Sequence, residues 1–260
     1  MARKYDAPSV RKAFLILRLI SKANQGMGIS DLAGSLEMSK GTVHGIISAL
    51  DDLGALIRDP FSKKYMLGPT LFELGRSAYA ELELGDIARP FMEKVMKQTG
   101  TSVFVGILNG RRVTILDVVE SHYDFKITAP RGSTVPFLAG AVGKVFLAGM
   151  DKTQAAEIIG KGLPSFTEHS ITDPDQYLLE IERTKKQGYA VDDEEYLVGV
   201  RAVAALLRGS ESKGYAIWAV GFKSVLHDEK MNRLINGMME AARLINDQLK
   251  DQLSLEPAAA

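Results

Sequence analysis

One stretch of the sequence carries side chains of the kind that contact nucleic acid, arranged on a helical spacing. Between Ser39 and Gly54 the apolar residues stand at positions 43, 46, 47, 50 and 53, the spacing of one face of an α-helix. Within this stretch the first acid is Asp51, near its end. The face opposite the apolar residues would therefore not repel a phosphate-lined groove. That polar face and its capping serine comprise Ser39, Lys40, Gly41, Thr42, His44, Gly45 and Ser48. A solvated surface helix is the alternative for this stretch taken alone.

The segments before this stretch predict two further helices. Apolar periodicity indicates one over Ser9–Ala23, with one inward face made of Val10, Ala13, Phe14, Leu17 and Ile20. A second is expected over Ser30–Leu36, capped by its first residue and followed by a tight turn at Glu37-Met38. Three helices with a short turn between the last two predict a helix-turn-helix, whose third helix enters a major groove.

A change of hydrophobic period after Gly54 predicts a β-hairpin. Residues 55–58 and 64–67 are interpreted as strands around a polar turn at residues 59–63. Because the hairpin directly follows the helix-turn-helix, we interpret it as a wing whose cations could touch sugar and phosphate. These cations are Arg58, Lys63 and Lys64. A plain hairpin with solvated lysines is the alternative.

Residues 70–88 predict a single helix that connects the N-terminal part to the rest of the chain. Its apolar stripe of Leu71, Leu74, Ala78 and Leu82 would also suit pairing with a second subunit. The predicted boundaries are therefore 1–68 for a DNA-binding domain, 69–88 for a linker helix, 89–250 for a second domain and 251–260 for a disordered tail.

The second domain is predicted to mix helices and strands. Asn109-Gly110 is a strong hairpin signal between two β-rich segments. Strands are expected over 102–108, 111–119, 125–129, 189–192, 201–207 and 215–222, and helices over 90–98, 141–149, 152–161, 175–187 and 227–249. This order suggests an antiparallel sheet carrying helices, in a domain of the ligand-sensing type.

Composition narrows the class of protein. The 260 residues carry no net charge, but residues 1–68 have a net charge of +4 and the remainder −4, which favours a polyanion partner for the first part. The sequence contains no cysteine, no long uncharged apolar run and no signal-peptide pattern, so we expect a cytoplasmic protein without disulfides.

Enzymatic motifs are lacking. The segment Gly140-Ala-Val-Gly143-Lys144 is too short for a phosphate-binding loop, and Val145 stands where a Ser or Thr would hold magnesium. The four histidines have no metal-site spacing, and no cofactor is expected. A regulator is favoured over an enzyme, and a ligand-free interaction or architectural protein that dimerises through residues 70–88 is the second alternative.

Two C-terminal signatures behind the winged helix identify a family. Pro136–Lys144 is similar to a P-x-x-A-x-x-x-G-K segment, and Gly188–Glu195 followed by Gly199-Val200-Arg201 to a GYA-x-D-x-EE…GVR signature. With Ser30–Ala33 and Lys40–His44, they make the chain resemble the IclR family of bacterial transcription regulators over about residues 9–250. The resemblance implies an α+β fold: an N-terminal winged helix-turn-helix joined by a linker helix to a GAF-like α/β effector-binding domain. It also implies a double-stranded DNA operator, a homodimer or dimer of dimers, and control by a small-molecule effector.

The chain departs from the family pattern at both sites. Gly41 and Gly45 stand where members commonly carry Ser and Arg, so base readout would depend on Lys40, Thr42, His44 and Ser48. Ala202 and Leu206 replace a common cysteine and proline. Trp218 and Val220 replace small polar residues that line the pocket of carboxylate-binding members.

The resemblance also implies an effector pocket at the start of the helix that follows Ala139. Exposed amides there would hold an anionic head group, and the apolar Trp218 and Val220 would favour an aromatic or otherwise hydrophobic acid. The implied lining residues are Leu138, Gly140, Ala141, Val142, Asp192, Ala202, Trp218 and Val220. Asp192 could instead be a turn residue and Trp218 simple core. Arg131 and Arg201 could pair with the anion, although Arg201 is expected to bridge to Glu194 or Glu195.

Overall fold

The computed structural model describes residues 7–80, 84–208 and 214–255, which form two compact units divided after Leu82. The N-terminal unit has the predicted helix-turn-helix and wing. Its elements are α1 (Pro8–Ile20), α2 (Ile29–Ser35), α3 (Lys40–Asp52), β1 (Leu56–Arg58), β2 (Tyr65–Leu67) and α4 (Pro69–Ala80). No helix within the described ranges is both long and apolar enough to cross a membrane.

The core of the N-terminal unit is small and comes from α1, α2, α3 and the wing. Its buried members are Ile16, Ile20, Leu32, Ala33, Val43, Ile47, Leu56 and Tyr65. The predicted inward face of α1 was partly wrong: Ile20 is buried as expected, but Val10 and Phe14 are exposed and Ile16 is buried. The apolar spacing of α1 fits two adjacent faces, and contacts with α3 and β2 decide between them.

The start of α2 and the burial of Leu53 differ from the prediction, while Gly54 ends α3 as expected. Helix α2 begins one residue earlier, with Gly28 at the N-cap, and Asp31 accepts from the Gly28 amide at 3.3 Å. Ser30 therefore lies inside the first turn and is not the cap. Leu53 is 69% exposed, because α3 ends at Asp52 and Gly54 turns the chain into the wing with a φ of +68°.

The C-terminal unit is a six-stranded antiparallel sheet with helices on both faces. Its strands are β3 (Ser102–Asn109), β4 (Arg112–Val119), β5 (Thr134–Pro136), β6 (Tyr189–Asp193), β7 (Val200–Arg208) and β8 (Gly214–Phe222), in the order β5-β4-β3-β8-β7-β6. Its helices are α5 (Leu84–Thr99), α6 (Gly140–Ala148), α7 (Lys152–Ile159), α8 (Pro174–Gln187) and α9 (Asp228–Leu255). Asn109 pairs with Arg112 across the predicted hairpin turn.

Alternation along the strands separates two apolar layers. Ala204, Ala216 and Trp218 belong to a buried cluster with residues of α6, α7 and α8. The intervening residues Val203 and Ile217 are equally buried, which assigns α5 and α9 to the opposite face. The helix that opens the predicted site, α6, therefore lies directly on the sheet.

Three predictions for this part of the chain were wrong. Pro90 lies inside α5 and does not begin it, because the loss of one amide donor is offset by the buried face of Ala88, Met92 and Val95. Residues 125–129 form no strand, and Phe125 is 88% exposed. Helix α9 runs to Leu255, beyond the predicted end at residue 249.

The predicted single helix over residues 70–88 is not one described element. Helix α4 ends at Ala80 and α5 begins at Leu84, while residues 81–83, including Leu82 of the predicted stripe, lie outside the described residues. Within α4, Leu74 is 62% exposed.

Candidate DNA interface and effector site

Helix α3 presents an acid-free polar stripe to solvent. Val43 and Ile47 are buried in the core, which fixes the rotation of the helix. On the other side an exposed stripe at i, i+3, i+4 and i+7 comprises Gly41, His44, Gly45 and Ser48, and Lys40 at the first turn is exposed as well. The only acids of α3 are Asp51 and Asp52, at its far end. This arrangement suits an approach to phosphates at the N-terminal end of the helix.

Two of the predicted DNA-contacting residues also hold the start of α3. The Ser39 hydroxyl accepts from the Thr42 amide at 3.1 Å and lies 2.9 Å from the Thr42 hydroxyl. The predicted N-cap at Ser39 is confirmed. Because their hydroxyls are paired with each other, any contact they make with DNA would share or replace this bond.

The two glycines of α3 can be tested through their effect on the helix. A Cβ at Gly41 or Gly45 would meet no atom within 4 Å, and both have ordinary helical φ angles. We expect Gly45→Ala to stabilise the N-terminal unit by about 0.5–1 kcal/mol, because alanine loses less backbone entropy in a helix. Thermal unfolding without DNA measures this effect, with Gly34→Ala in α2 as an open-space control. A lower stability of the variant would contradict the prediction.

The wing carries the three predicted cations, with Arg58 in β1 and Lys63 and Lys64 directly before β2. Arg58 pairs with Tyr65 across the hairpin, and its guanidinium carbon lies 5.8 Å from the centroid of the Tyr65 ring. Asp59 closes the turn by accepting from the Ser62 amide and hydroxyl, and these hydrogen bonds lower the pKa of its carboxyl. Lys63 is exposed and Lys64 is half-buried.

In the C-terminal unit the structure brings most of the predicted effector residues together on one face of the sheet. Asp192 pairs with Ala202, which pairs with Val220 on the next strand, so the three form one row. Trp218 lies two residues before Val220 on β8 and therefore on the same face of the sheet. Helix α6 covers this face through Ala141 and Val142, and Leu138 packs against the same cluster.

Trp218 is a buried member of this apolar layer. It is 4% exposed and stacks on Phe104, with ring centroids 5.5 Å apart and an interplanar angle of 9°. Gly106 leaves room for it, since a Cβ there would lie 2.9 Å from Trp218 Cη2. The indole is therefore core, and whether it also contacts an effector stays a prediction.

The start of α6 differs from the prediction of exposed amides. Gly140, Ala141 and Val142 are all buried. Gly140 has a φ of +48°, and a Cβ there would collide with Asp192 Oδ2. The Asp192 carboxylate therefore lies directly against the helix start, close to the place where an anionic head group was expected.

Sequence reasoning missed the role of Lys144, although it noted this lysine within the α6 signature. Lys144 is 1% exposed, and its ammonium donates to Val191 O at 2.9 Å and to Glu195 Oε1 at 2.5 Å. Asp192 Oδ1 accepts from the Glu195 amide at 2.7 Å. Burial raises the pKa of both Asp192 and Glu195, and Lys144 opposes both shifts. The two signatures meet in this buried network.

The two arginines proposed for an effector anion are bound to carboxylates of the chain itself. Arg201 donates to both oxygens of Asp193, at 3.0 and 2.8 Å, and to Asp228 Oδ1 at 2.9 Å. An internal ion pair was expected, but its partners are these residues and not Glu194 or Glu195. Arg131 Nε lies 2.6 Å from Asp117 Oδ1, whose side chain is 3% exposed.

Two adjoining spaces are lined by residues just before α6 and by the segment that follows α7. The larger is a cleft of about 630 Å³, within the range of small-ligand pockets. The smaller is a cavity of about 10 Å³ next to Gly140 and Glu195. Both are lined by Leu138, Leu163, Pro164 and Phe166, so they adjoin each other. Leu138 and Gly140 are the predicted effector residues that line them.

A winged helix-turn-helix followed by an α/β unit with such a cleft defines the class of DNA-binding regulators with a sensory domain. Residues 9–60 match the model of the IclR helix-turn-helix domain, and residues 77–247 match that of the bacterial transcriptional regulator IclR C-terminal domain. The chain therefore belongs to the IclR family. It is a DNA-binding transcriptional regulator and not an enzyme.

Individual relatives agree with this assignment. A glycerol operon regulatory protein of Streptomyces coelicolor is 29% identical over 254 residues, covering 96% of this chain and 98% of that protein. An IclR transcriptional regulator from Alicyclobacillus acidocaldarius has a similar structure, with a TM-score of 0.79 and 26% identity over 94% of this chain and 100% of that one. An IclR homologue from Microbacterium hydrocarbonoxydans, solved in complex with 4-hydroxybenzoate, has a TM-score of 0.78 and 20% identity over 94% and 99% of the two chains.

Proposed function

We propose that this chain is a cytoplasmic repressor of a catabolic operon, released from its operator by a small organic acid. Residues 1–68 would bind double-stranded DNA, residues 69–88 would link the domains, and residues 89–250 would bind the effector. The observation that carries the proposal is the exposed, acid-free stripe of α3, in the same unit as a wing that carries three cations. A homodimer or dimer of dimers would read two half-sites about one helical turn, roughly 34–36 Å, or a multiple of it apart.

Fluorescence anisotropy on DNA from upstream of its own gene tests the proposal. We expect binding that weakens steeply with salt, because cations of the wing and α3 displace counterions from phosphates. At least one acid of a panel should lower the DNA affinity. If no DNA binding occurs at low salt, the N-terminal unit does not read this DNA, and the alternative of an interaction protein gains support. If every acid leaves the affinity unchanged, a ligand-free regulator is favoured.

The effector is proposed to be an aromatic or otherwise hydrophobic carboxylate. The layer around Trp218 and Val220 is apolar, and the cleft lined by Phe137 and Leu138 exceeds the size of a two- or three-carbon acid. A protein of the same fold was solved in complex with the aromatic acid 4-hydroxybenzoate. Titration of the fluorescence of Trp218, the single tryptophan, compares benzoate and phenylacetate with pyruvate and glyoxylate. Tighter binding of the two small ketoacids would contradict this class of effector.

The wing should contribute sequence-independent affinity. We expect Lys63→Ala and Lys64→Ala each to weaken binding to specific and unrelated DNA by a similar factor, and to lower the slope of log affinity against log salt by about 1. His44→Ala on α3 is the matched contrast, since loss of a base contact should reduce specificity while leaving non-specific binding intact. Anisotropy on both DNAs at several salt concentrations separates the two patterns. A loss confined to the operator in the lysine variants would contradict the assignment.

A further inference from the structure

Tyr177 carries a buried hydroxyl without a partner. It lies on α8 and is 4% exposed, and its hydroxyl oxygen makes no hydrogen bond among the described residues. A buried hydroxyl left unpaired lowers stability, because it loses its bond to water and gains none in the protein. Its position is therefore informative: Tyr177 lines the cavity of about 10 Å³ together with Gly140 and Glu195.

This cavity suits one neutral polar atom. Its volume is close to the minimum that a single water-sized group requires. Burial, and then the charges of Glu195 and Asp192, raise the pKa of Tyr177, so its hydroxyl stays protonated and can donate. A carboxylate would be repelled by the same acids, whereas a hydroxyl could accept from Tyr177 and donate to Glu195.

Whereas the small cavity is polar and lies next to acids, the adjoining cleft is mainly apolar and carries cations. Apolar side chains form most of its lining, including Phe137, Met150 and Ile158. Arg111 and Lys161 also line it, and both side chains are exposed. Lys161 forms an exposed pair with Glu157 on the preceding turn, which leaves its charge accessible to a ligand anion.

We propose that the effector is a hydroxylated hydrophobic acid, bound with its hydroxyl inward on Tyr177, its apolar body in the cleft and its carboxylate outward at Arg111 and Lys161. The orientation is opposite to the one expected from the start of α6, where Asp192 already stands. The proposal rests on the function proposed above, because it specifies which acid the sensory domain accepts. It makes Tyr177 a specificity-determining residue.

Two pairs of acids that differ only by a hydroxyl test this inference. Trp218 fluorescence titrations compare 4-hydroxybenzoate with benzoate, and 4-hydroxyphenylacetate with phenylacetate. For wild-type protein we expect the hydroxylated acid of a pair to bind about three- to tenfold more tightly. Tyr177→Phe should abolish that preference while the affinity for the plain acid changes less than about twofold, and it should not lower the thermal stability without ligand.

A second variant tests the carboxylate end. Replacing Arg111 and Lys161 together by Gln should weaken all four acids by a similar factor and leave the hydroxyl preference intact. Lys152→Gln, at an exposed lysine of α7 that does not line the cleft, is the control and should change nothing. A hydroxyl preference that survives Tyr177→Phe, or wild-type protein without such a preference, overturns the inference and leaves the regulator proposal standing. Absence of any acid binding or acid effect on DNA affinity overturns both.

Discussion

Replacing Lys144 with Met should destabilise the C-terminal unit by about 3–5 kcal/mol, the cost of leaving a buried charge without its partner. The Lys144 ammonium is enclosed and donates to Glu195 Oε1 and Val191 O. Methionine preserves the apolar stem of the side chain, so the change removes only the ammonium group and its two hydrogen bonds. Urea unfolding followed by the fluorescence of Trp218 measures the difference, because this residue lies in the same unit.

Matched variants separate charge burial from the mere loss of a lysine. Lys161→Met removes an exposed lysine that also pairs with a glutamate, and we expect a cost below about 0.5 kcal/mol. Adding Glu195→Gln to Lys144→Met should restore part of the stability, because a neutral amide then replaces the carboxylate that Lys144→Met leaves buried without its partner. A Lys144→Met protein within about 1 kcal/mol of wild type would show that Glu195 is stable without this partner.

The DNA-binding part could be predicted well because its signals are local. The cap at Ser39, the stripe of α3 and the stop at Gly54 lie within one helix and its ends, and each follows from backbone hydrogen bonding or helical period. The wing could likewise be predicted, from a change of hydrophobic period and a polar turn between its two strands. Whether the exposed residues of these elements contact DNA depends on a partner molecule, so their roles stay predictions.

Which face of a helix is buried, and whether a helix continues through a proline, could not be predicted from the local sequence pattern. Helix α1 has apolar residues around much of its circumference, and Phe14 is exposed while Ile16 is buried. Pro90 predicted a helix start by its lack of an amide donor, yet contacts of α5 with the sheet and with α9 keep the helix continuous. In each case tertiary packing outweighed a weak local preference.

The effector site depends on contacts between distant parts of the sequence. The signatures around residues 136–144 and 188–201 were recognised separately, but their meeting through Lys144, Asp192 and Glu195 follows only from the sheet and α6. Tyr177 had no motif to distinguish it from an ordinary core tyrosine. Its unpaired hydroxyl becomes visible only once the cavity around it is known.

Gly140→Ala should destabilise the C-terminal unit by about 2–5 kcal/mol, adding left-handed backbone strain to a collision. A Cβ at Gly140 would meet Asp192 Oδ2 and lie 2.5 Å from Asp192 Cγ and 3.0 Å from its Cβ. Rotation of the Asp192 carboxyl cannot relieve contacts with its own Cβ, and its Oδ1 is held by the Glu195 amide. Urea unfolding measures the loss, and titration with benzoate measures the accompanying change at the proposed site.

Gly110→Ala is the control that separates strain from collision. Gly110 also has a left-handed φ, of +62°, but a Cβ there would meet no atom within 4 Å, so only about 1 kcal/mol should be lost. Adding Asp192→Ala to Gly140→Ala removes the colliding carboxyl and should return the cost toward that of Gly110→Ala. Equal costs for the two single variants would mean that Asp192 moves aside freely. In that case the start of α6 would be open to an anion. The inference that the hydroxyl of the effector points inward would then lose the support that it takes from Asp192.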